Sequence, residues 1–288
     1  MHHQRLNEDT WLFVGKAYES AATAFVDGSD VLLVDALASP EDAHWMRQAM
    51  ADLGLTVRAI LNTHYMSDHM AGLALFPEAI TIAHENHRHA FLSQNARVDD
   101  FYVDPKITFS GSMKLRWGRH HIRLFHNPGK TMDHVTVDAP EAGLACAGDN
   151  IVGNIAYLSK ADPDQIDRAI TAIRQLGREW VISGHMGRFP ASALDNARHY
   201  LARLRETSIA IMRRASGAAQ ARQLAQIRIE ACLPAGVTPR DFEREWHQNN
   251  LSVIRDQDVF ALDASRSPRA DSDASARLAR RRDNDSLI

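Results

Sequence analysis

The chain has 288 residues, of which 45% are hydrophobic and 24% charged, and its formal net charge is −3. This length and apolar content are enough for one large core or two modest domains, and the near-neutral charge gives no sign of a nucleic-acid partner. No apolar run reaches the length of a membrane span, and no signal peptide is visible, so we expect a cytoplasmic protein without a membrane partner. The two cysteines, Cys146 and Cys232, are predicted to be buried thiols rather than a disulfide.

The first third of the chain predicts short strands separated by helices. Asp27-Gly28 is a hairpin signal between two of the strands. Ser39-Pro40, followed by two acidic residues, is typical of a helix start with serine as the N-cap, and Gly54 ends that helix. Strands are predicted over residues 10–14, 22–26, 31–35, 57–61 and 80–83, and helices over residues 40–53, 69–75 and 85–94.

The remainder predicts a loop over residues 98–112, then five strands and a series of helices. Asp162-Pro163-Asp164 begins a helix whose apolar residues recur at helical spacing as far as Gly177. The chain is predicted to be helical from about Ala191. The strands are predicted over residues 112–117, 121–125, 134–137, 144–147 and 180–183.

This order of elements predicts an α/β fold in which two β-rich halves form a four-layer αββα sandwich. We expect residues 1–262 to form one domain, which includes the C-terminal helices. Residues 263–288 are rich in Ser, Asp and Arg and poor in apolar side chains, which predicts a disordered tail.

The most informative segment is Asn62-Thr63-His64-Tyr65-Met66-Ser67-Asp68-His69, which follows the predicted strand 57–61. A carboxylate and two imidazoles on a strand-to-helix turn suit a divalent metal such as zinc or iron. The segment resembles the His-x-His-x-Asp-His signature of the metallo-β-lactamase superfamily. It departs from the signature at Met66, which occupies the place of the second histidine.

Four further segments resemble those of the same superfamily, in the same order along the chain. Asp35 ends an apolar strand at the place of an early aspartate that supports the site from behind the ligands. Residues 126–134 are similar to a Pro-Gly-His-Thr segment, with Lys130 in place of a metal-binding histidine. Ala147-Gly148-Asp149 and Ser183-Gly184-His185 resemble the segments that supply a bridging aspartate and the last histidine. The resemblance covers roughly residues 8–190.

The resemblance implies two metal sites, and the chemistry of the residues separates them. The first site would use His64, Met66 and Lys130, but a lysine ammonium has no lone pair and a methionine sulfur is a poor zinc ligand. The second site would keep every ligand. We therefore expect a degenerate first site and one ion, zinc with iron as the alternative, bound by Asp68, His69, Asp149 and His185.

The resemblance also implies catalytic roles for Asp149, His64 and Lys130. Asp149 would bind or orient the attacking water, and His64 or Lys130 would steady the negative charge that develops. Two interpretations of Lys130 stay open: it replaces the charge of the missing metal, or it passively pairs with Asp149. His64 is expected to be a proton relay or a water contact, and Met66 to fill the core.

A second histidine-rich segment, residues 84–89, is not favoured as a metal site, because His84 and His87 can lie on a solvated helix. His126 and His134 flank the site segments, where each can line the pocket or be a hydrogen-bonded strand histidine. Tyr65 and Tyr157 are pocket candidates by position alone.

Taken as a member of this superfamily, the chain is predicted to be a metal-dependent hydrolase that acts on a small-molecule ester, thioester, lactone or lactam. Two alternatives stay open: an iron enzyme with redox or oxygen chemistry, and a non-catalytic member that binds a ligand or a partner. Asp149 and His185 are only 36 positions apart (185 minus 149), which leaves no room for the inserted domain of the nuclease branch.

Overall fold

The computed structural model describes residues 1–93, 102–257 and 259–260, and it contains two β-sheets packed face to face with helices outside them. The strands of the described chain are β1 (His2–Asn7), β2 (Thr10–Val14), β3 (Ala21–Asp27), β4 (Asp30–Val34), β5 (Thr56–Leu61), β6 (Ile80–His84), β7 (Ile107–Phe109), β8 (Ser112–Trp117), β9 (His120–His126), β10 (Val135–Ala139), β11 (Leu144–Gly148), β12 (Trp180–Ser183) and β13 (Arg188–Pro190). The α-helices are α1 (Pro40–Asp52), α2 (Ser67–Met70), α3 (His87–Ser93), α4 (Pro163–Arg174), α5 (Ser192–Arg214), α6 (Gly217–Ala225), α7 (Ile229–Cys232) and α8 (Asp241–Gln257).

The first sheet has seven strands in sequence order, β1 to β7. Strands β1 to β4 form an antiparallel meander, and β4 to β7 run parallel to one another. The β3–β4 hairpin turns at Gly28, whose φ of 60° lies in the region that glycine adopts without steric penalty. The second sheet has the order β13-β12-β11-β10-β9-β8, in which β11 and β12 form the parallel pair.

Three layers of buried apolar side chains confirm the four-layer αββα sandwich. Between the sheets, Phe25 of the first sheet and Val137 of the second belong to one fully buried cluster. Met46 of α1 packs in the cluster on the outer face of the first sheet, and Ile170 of α4 and Leu204 of α5 pack in the cluster outside the second. The N-cap of α1 is as predicted, because the Ser39 hydroxyl accepts a hydrogen bond from the backbone N–H of Asp42.

The structure differs from the predicted elements at three strands and one helix. Strands β1, β7 and β13 were not predicted: β1 has no apolar alternation, and the other two have three residues each. The predicted helix over residues 69–75 begins earlier, as α2, and continues only as a short 3₁₀ turn over Leu73–Leu75. The predicted tail, residues 263–288, lies outside the described residues.

This topology gathers the functional segments at one edge of the sandwich. The carboxyl ends of parallel neighbours meet at the same edge of a sheet. Asp35 follows β4 and the 62–69 segment follows the neighbouring β5, while Asp149 follows β11 and His185 follows the neighbouring β12. Within the described chain, none of the helices combines the length and apolar character that a membrane crossing requires.

Candidate metal centre

Four side chains converge where the two sheets meet at this edge, and they are Asp68, His69, Asp149 and His185, here called the ligand group. One ligand atom from each lies within 4.8 Å of all the others. Asp149 is central, because its Oδ1 lies 3.1 Å from Nε2 of His69 and 3.2 Å from Nε2 of His185. The side chain of Asp68 is 16% exposed, whereas the other three are at most 3% exposed, so the group is open to solvent on the Asp68 side.

The imidazole of His69 is oriented by Asp35. The Asp35 carboxylate accepts hydrogen bonds from the backbone N–H and the hydroxyl of Thr63, and Nδ1–H of His69 lies 3.1 Å from its Oδ2. Because Nδ1 is directed at Asp35, Nε2 faces the centre of the ligand group, where it can donate its lone pair once a cation replaces its proton. A carboxylate behind a histidine in this way is the usual support of a metal-binding imidazole.

The imidazole of His185 is oriented in the same sense by a backbone carbonyl. Its Nδ1–H donates to the carbonyl oxygen of Tyr18 over 2.7 Å, which leaves the lone pair of Nε2 directed at Asp68 and Asp149. Tyr18 is 167 positions away in sequence, so sequence patterns give no signal for this contact.

Two glycines allow the strand ends to approach this closely. A Cβ atom at Gly184 would lie 2.1 Å from Oδ1 of Asp149, which no side chain permits. Gly148 has a φ of 50°, and a Cβ there would lie 2.7 Å from the ring of His134. The glycines of both predicted segments are therefore required by the packing of the ligand group itself.

The donor set fits a divalent cation. Two imidazole lone pairs and two carboxylates face one point, and carboxylate and imidazole are ligands that zinc and ferrous iron accept. Burial alone would lower the pKa of His69, but Asp149, Asp68 and the hydrogen bond to Asp35 hold it well above its usual value. Burial alone would raise the pKa of Asp149, but His185 and His69 hold it well below. The group thus favours a positive charge at its centre.

His64 lies beside the ligand group, and its ring orientation follows from Thr63. The Thr63 hydroxyl donates to Asp35 over 2.7 Å, so it accepts from Nδ1–H of His64 at 2.9 Å. The Nε2 atom of His64 is buried, lacks a hydrogen-bond partner among the described residues, and lies 3.5 Å from Oδ2 of Asp149. His64 therefore presents an acceptor to Oδ2 of Asp149, whereas His69 and His185 contact Oδ1.

His134 stacks on His64, with ring centroids 4.8 Å apart, and serves as a structural support. Its Nε2 accepts a hydrogen bond from the backbone N–H of Asp149, and its Nδ1 lies 3.2 Å from the amide nitrogen of Asn150. Burial, followed by the proximity of His64, holds the pKa of His134 well below its usual value. Of the two readings of this residue, the structure supports the hydrogen-bonded histidine.

Of the two interpretations of Lys130, direct pairing with Asp149 is not seen among the described residues. In the part of the chain that the structure describes, the ion-pair partners of Asp149 are three histidines, His64 among them. The Lys130 ammonium donates to the carbonyl oxygen of Ser159 over 2.5 Å and lies 3.9 Å from the ring centroid of Tyr157. A carbonyl and an aromatic face solvate a buried cation without needing a carboxylate.

The charge of Lys130 nevertheless acts on the ligand group. Burial lowers the pKa of Lys130 to about 8, and the carboxylates of Asp149 and Asp68 oppose that decrease. The ammonium therefore lies within the electrostatic field of both carboxylates, although it touches neither. Met66 is half-buried and packs against the cluster outside the first sheet, as expected of a core filler.

The second histidine-rich segment has partners of its own. His84 and His87 are buried rather than on a solvated helix face: His84 stacks on His126 with centroids 3.8 Å apart, and Nδ1 of His87 lies 2.9 Å from a carboxylate oxygen of Asp133. Neither belongs to the metal-ligand cluster found in the described chain. Tyr65, a pocket candidate by position, packs in the core outside the first sheet.

Comparison with known proteins gives a family and a set of distant relatives. Residues 16–185 match the model of the metallo-beta-lactamase superfamily. A hydroxyacylglutathione hydrolase of a Synechococcus strain is 27% identical over 173 residues, which cover 58% of this chain and 60% of that protein. An atrochrysone carboxyl ACP thioesterase of Pseudocercospora fijiensis is 26% identical over 129 residues, 44% of this chain and 35% of the relative. The chain thus spans less than two thirds of the length of these relatives.

Solved structures show the same fold at lower identity. A metallo-beta-lactamase from Pontibacter korlensis superposes with a TM-score of 0.61 at 18% identity, covering 70% of this chain and 98% of that one. The DIM-1 metallo-beta-lactamase superposes with a TM-score of 0.59 at 20% identity, covering 68% and 94%. At these identities the likeness extends to the fold alone.

Proposed function

The chain belongs to the metallo-β-lactamase superfamily, and from that premise we propose that it is a metal-dependent hydrolase that cleaves a small-molecule thioester or ester. The observation that carries the proposal is the ligand group, with the proton of each imidazole held on the outer nitrogen by Asp35 or Tyr18. Relatives named for hydroxyacylglutathione hydrolysis and for an acyl carrier thioesterase support an acyl–sulfur bond as the substrate class. Lactones and lactams contain the same reactive carbonyl and are the next candidates.

The ligand group would hold one zinc or iron ion, which lowers the pKa of a bound water and polarises the scissile carbonyl. The two oxygens of Asp149 have separate tasks. Oδ1 lies between the two ligand histidines, whereas Oδ2 faces Nε2 of His64 at 3.5 Å. Because Asp149 Oδ2 and His64 Nε2 are both acceptors and lie 3.5 Å apart, a water that sits beside the pair would donate one hydrogen to each. His64 would take the proton as that water attacks the carbonyl. When the carbon–sulfur or carbon–oxygen bond then breaks, the leaving thiolate or alkoxide would recover a proton from His64.

Lys130 contributes charge in this proposal. Its buried ammonium lies in the field of Asp149 and Asp68, where the related two-metal sites would have a second cation. Negative charge that develops on the carbonyl oxygen during attack is more stable near this ammonium than without it. The bonds to Ser159 and Tyr157 keep the ammonium in place without consuming the carboxylates.

A substrate panel tests the proposed reaction. We expect purified, metal-loaded protein to hydrolyse S-phenyl thioacetate or S-acetylglutathione at least about tenfold faster than a lactone or a cephalosporin of similar concentration. A chelator should abolish the turnover, and zinc or ferrous iron should restore it. The variant His121→Ala removes an exposed histidine that pairs with Glu141 outside the ligand group and should behave as wild type.

Two outcomes would contradict the proposal. Metal-loaded protein that cleaves none of the three bond types in this panel, and no simple aryl ester either, would indicate a non-catalytic binding member. Iron-only content with oxygen consumption would indicate the redox alternative. Measuring metal identity after anaerobic purification, alongside the panel, separates these two outcomes.

A further inference from the structure

Four aromatic side chains stand on the outer side of His185, and they are Tyr18, Tyr157, Phe242 and Trp246, here called the aromatic wall. The ring of Phe242 stacks on the imidazole of His185, with centroids 5.2 Å apart and an interplanar angle of 30°. Trp246 lies 4.6 Å from Phe242 and 6.2 Å from His185. Tyr157 and Tyr18 lie 5.5 Å and 6.3 Å from Trp246. The wall therefore begins in direct contact with a residue of the ligand group.

Helix α8 supplies Phe242 and Trp246, and its Asn250 holds the segment that carries Tyr157. Phe242 and Trp246 are four residues apart, so they lie on one face of the helix. On the same helix, Oδ1 of Asn250 accepts from the backbone N–H of Leu158 over 2.8 Å, and its Nδ2 donates to the carbonyl of Ala156 over 2.8 Å. The segment that carries Tyr157 is thus bound to α8 on both sides of the tyrosine.

Tyr18 is held against the wall in a strained backbone conformation. Tyr18 and Glu19 have φ values of 54° and 47°, a region that residues with a side chain rarely adopt. The carbonyl of Tyr18 is held by Nδ1–H of His185, and the carbonyl of Glu19 accepts from the N–H of Met186 over 2.8 Å. The Tyr18 residue is nonetheless 56% exposed. The strained backbone thus aims the Tyr18 carbonyl at His185 and leaves the Tyr18 ring exposed beside a residue of the ligand group, where a bound planar group can cover it.

The indole N–H of Trp246 lies beneath the surface of the wall. The residue is 9% exposed, and its indole N–H is buried without an acceptor among the described residues. Buried indole N–H groups normally have a partner, because a lost hydrogen bond to water is otherwise uncompensated.

We propose that the aromatic wall binds a planar, uncharged aromatic group next to the scissile carbonyl, so that aryl thioesters are preferred over thioesters of charged thiols such as glutathione. The inference rests on the proposed hydrolase function, which supplies the reaction. Binding of the aryl group can be measured without that reaction. The rings beside His185 can stack on a planar group, but they have no positive charge with which to bind a carboxylate. A charged thiol would instead need an available cation. Near the wall, the Lys130 ammonium is bound to the carbonyl of Ser159, Arg244 pairs with Glu230, and Arg240 lies over the ring of Phe189. The other basic side chains close to the wall in sequence are Lys16 and Lys160.

The test compares two uncleavable ketone analogues that differ only in the thiol, phenylthioacetone and S-acetonylglutathione, by calorimetric titration of the full-length metal-loaded protein. We expect the aryl analogue to bind at least about tenfold more tightly. Phe242→Leu keeps an apolar side chain, and Tyr18→Asn suits the left-handed backbone, so both variants should fold. Each should weaken the aryl analogue about three- to tenfold and leave the glutathione analogue unchanged. Lys16→Ala and Lys160→Ala are matched controls that should change neither affinity.

Tighter binding of the glutathione analogue, together with its loss in the lysine variants, would overturn the inference. Equal affinity of the wall variants and wild type for the aryl analogue would also overturn it. The binding readout separates the two proposals: if the aryl analogue binds through the wall but no thioester is cleaved, only the hydrolase proposal fails. If thioesters are cleaved without any dependence on the wall, only the inference about the wall fails.

Discussion

Replacing either Asp68 or His185 with alanine is expected to abolish metal retention and to destabilise the protein. Each variant keeps three of the four ligands. In both, the Asp149 carboxylate stays buried without a cation at the centre of the group. An ion present at 100 times its dissociation constant stabilises the native state by about 2.7 kcal/mol, and that contribution disappears with the site. For a chain of this size we expect a decrease in melting temperature of roughly 5–10 °C. Elemental analysis after dialysis and thermal unfolding measure the two effects.

Matched variants distinguish loss of the ion from loss of a side chain. Asp30→Ala removes an aspartate that is 45% exposed and paired with Arg58, and His121→Ala removes an exposed histidine. Both should keep the ion, and their melting temperatures should stay close to that of wild type, because exposed ion pairs contribute little to stability. Chelator treatment should lower the melting temperature of wild type and of both controls, and leave that of the two ligand variants unchanged. Wild-type metal content in both ligand variants would show that the ligands are wrongly assigned.

Replacing Lys130 with methionine is expected to preserve the ion and reduce turnover by roughly 10²–10³, the typical effect of losing one preorganised group that stabilises an oxyanion. Methionine has nearly the length of lysine, so it can fill the space beneath Tyr157 without the charge. Metal content and kcat on the preferred thioester measure the effect. Lys114→Met, on the exposed face of β8, is the matched control. A Lys130→Met protein with wild-type turnover would show that Lys130 is a passive replacement.

The pH dependence of the free energy of unfolding tests the lowered pKa of Lys130. Burial lowers the pKa of Lys130 to about 8, from 10.5 for an ordinary lysine. Between these values the unfolded chain binds the proton and the folded chain has released it, so the free energy of unfolding rises with pH across this window. Wild type should therefore gain stability relative to Lys130→Met as the pH increases from about 8 to 10.5. Urea unfolding at several pH values measures the difference, and parallel curves would show that the pKa is not lowered.

The sequence predicted the four layers because each strand that packs between the sheets is a compact apolar run with turn residues at its ends. Strand β1 has the sequence His-His-Gln-Arg-Leu-Asn, which contains one apolar residue, so its place at the sheet edge depends on pairing with β2. The break after α2 has a tertiary cause. A Cβ at Gly72 would lie 2.2 Å from the carbonyl oxygen of Ala36, so packing against the chain after β4 determines the local path.

The ligand group could be predicted because each member follows a strand end within a recognisable segment. The environment of Lys130 could not. Its partner is a backbone carbonyl 29 positions away, and any residue type at that position would present the same oxygen. The carbonyl of Tyr18 behind His185 is likewise a backbone group that any residue type would present. The aromatic wall depends on the packing of α8, which lies far along the chain from the ligand segments. Contacts with backbone carbonyls and long-range packing cannot be predicted from local sequence patterns.

Metal analysis of the purified wild-type protein, by element and by ions per chain, tests the single-site assignment most directly. We expect about one tightly bound zinc or iron ion per chain, because within residues 1–93, 102–257 and 259–260 only Asp68, His69, Asp149 and His185 form a complete donor set. The protein should be expressed with both metals available and dialysed before measurement, so that weakly bound ions are removed. Two ions per chain at full occupancy would contradict the loss of the first site at Met66 and Lys130, and protein that binds no divalent ion would contradict the metal centre itself.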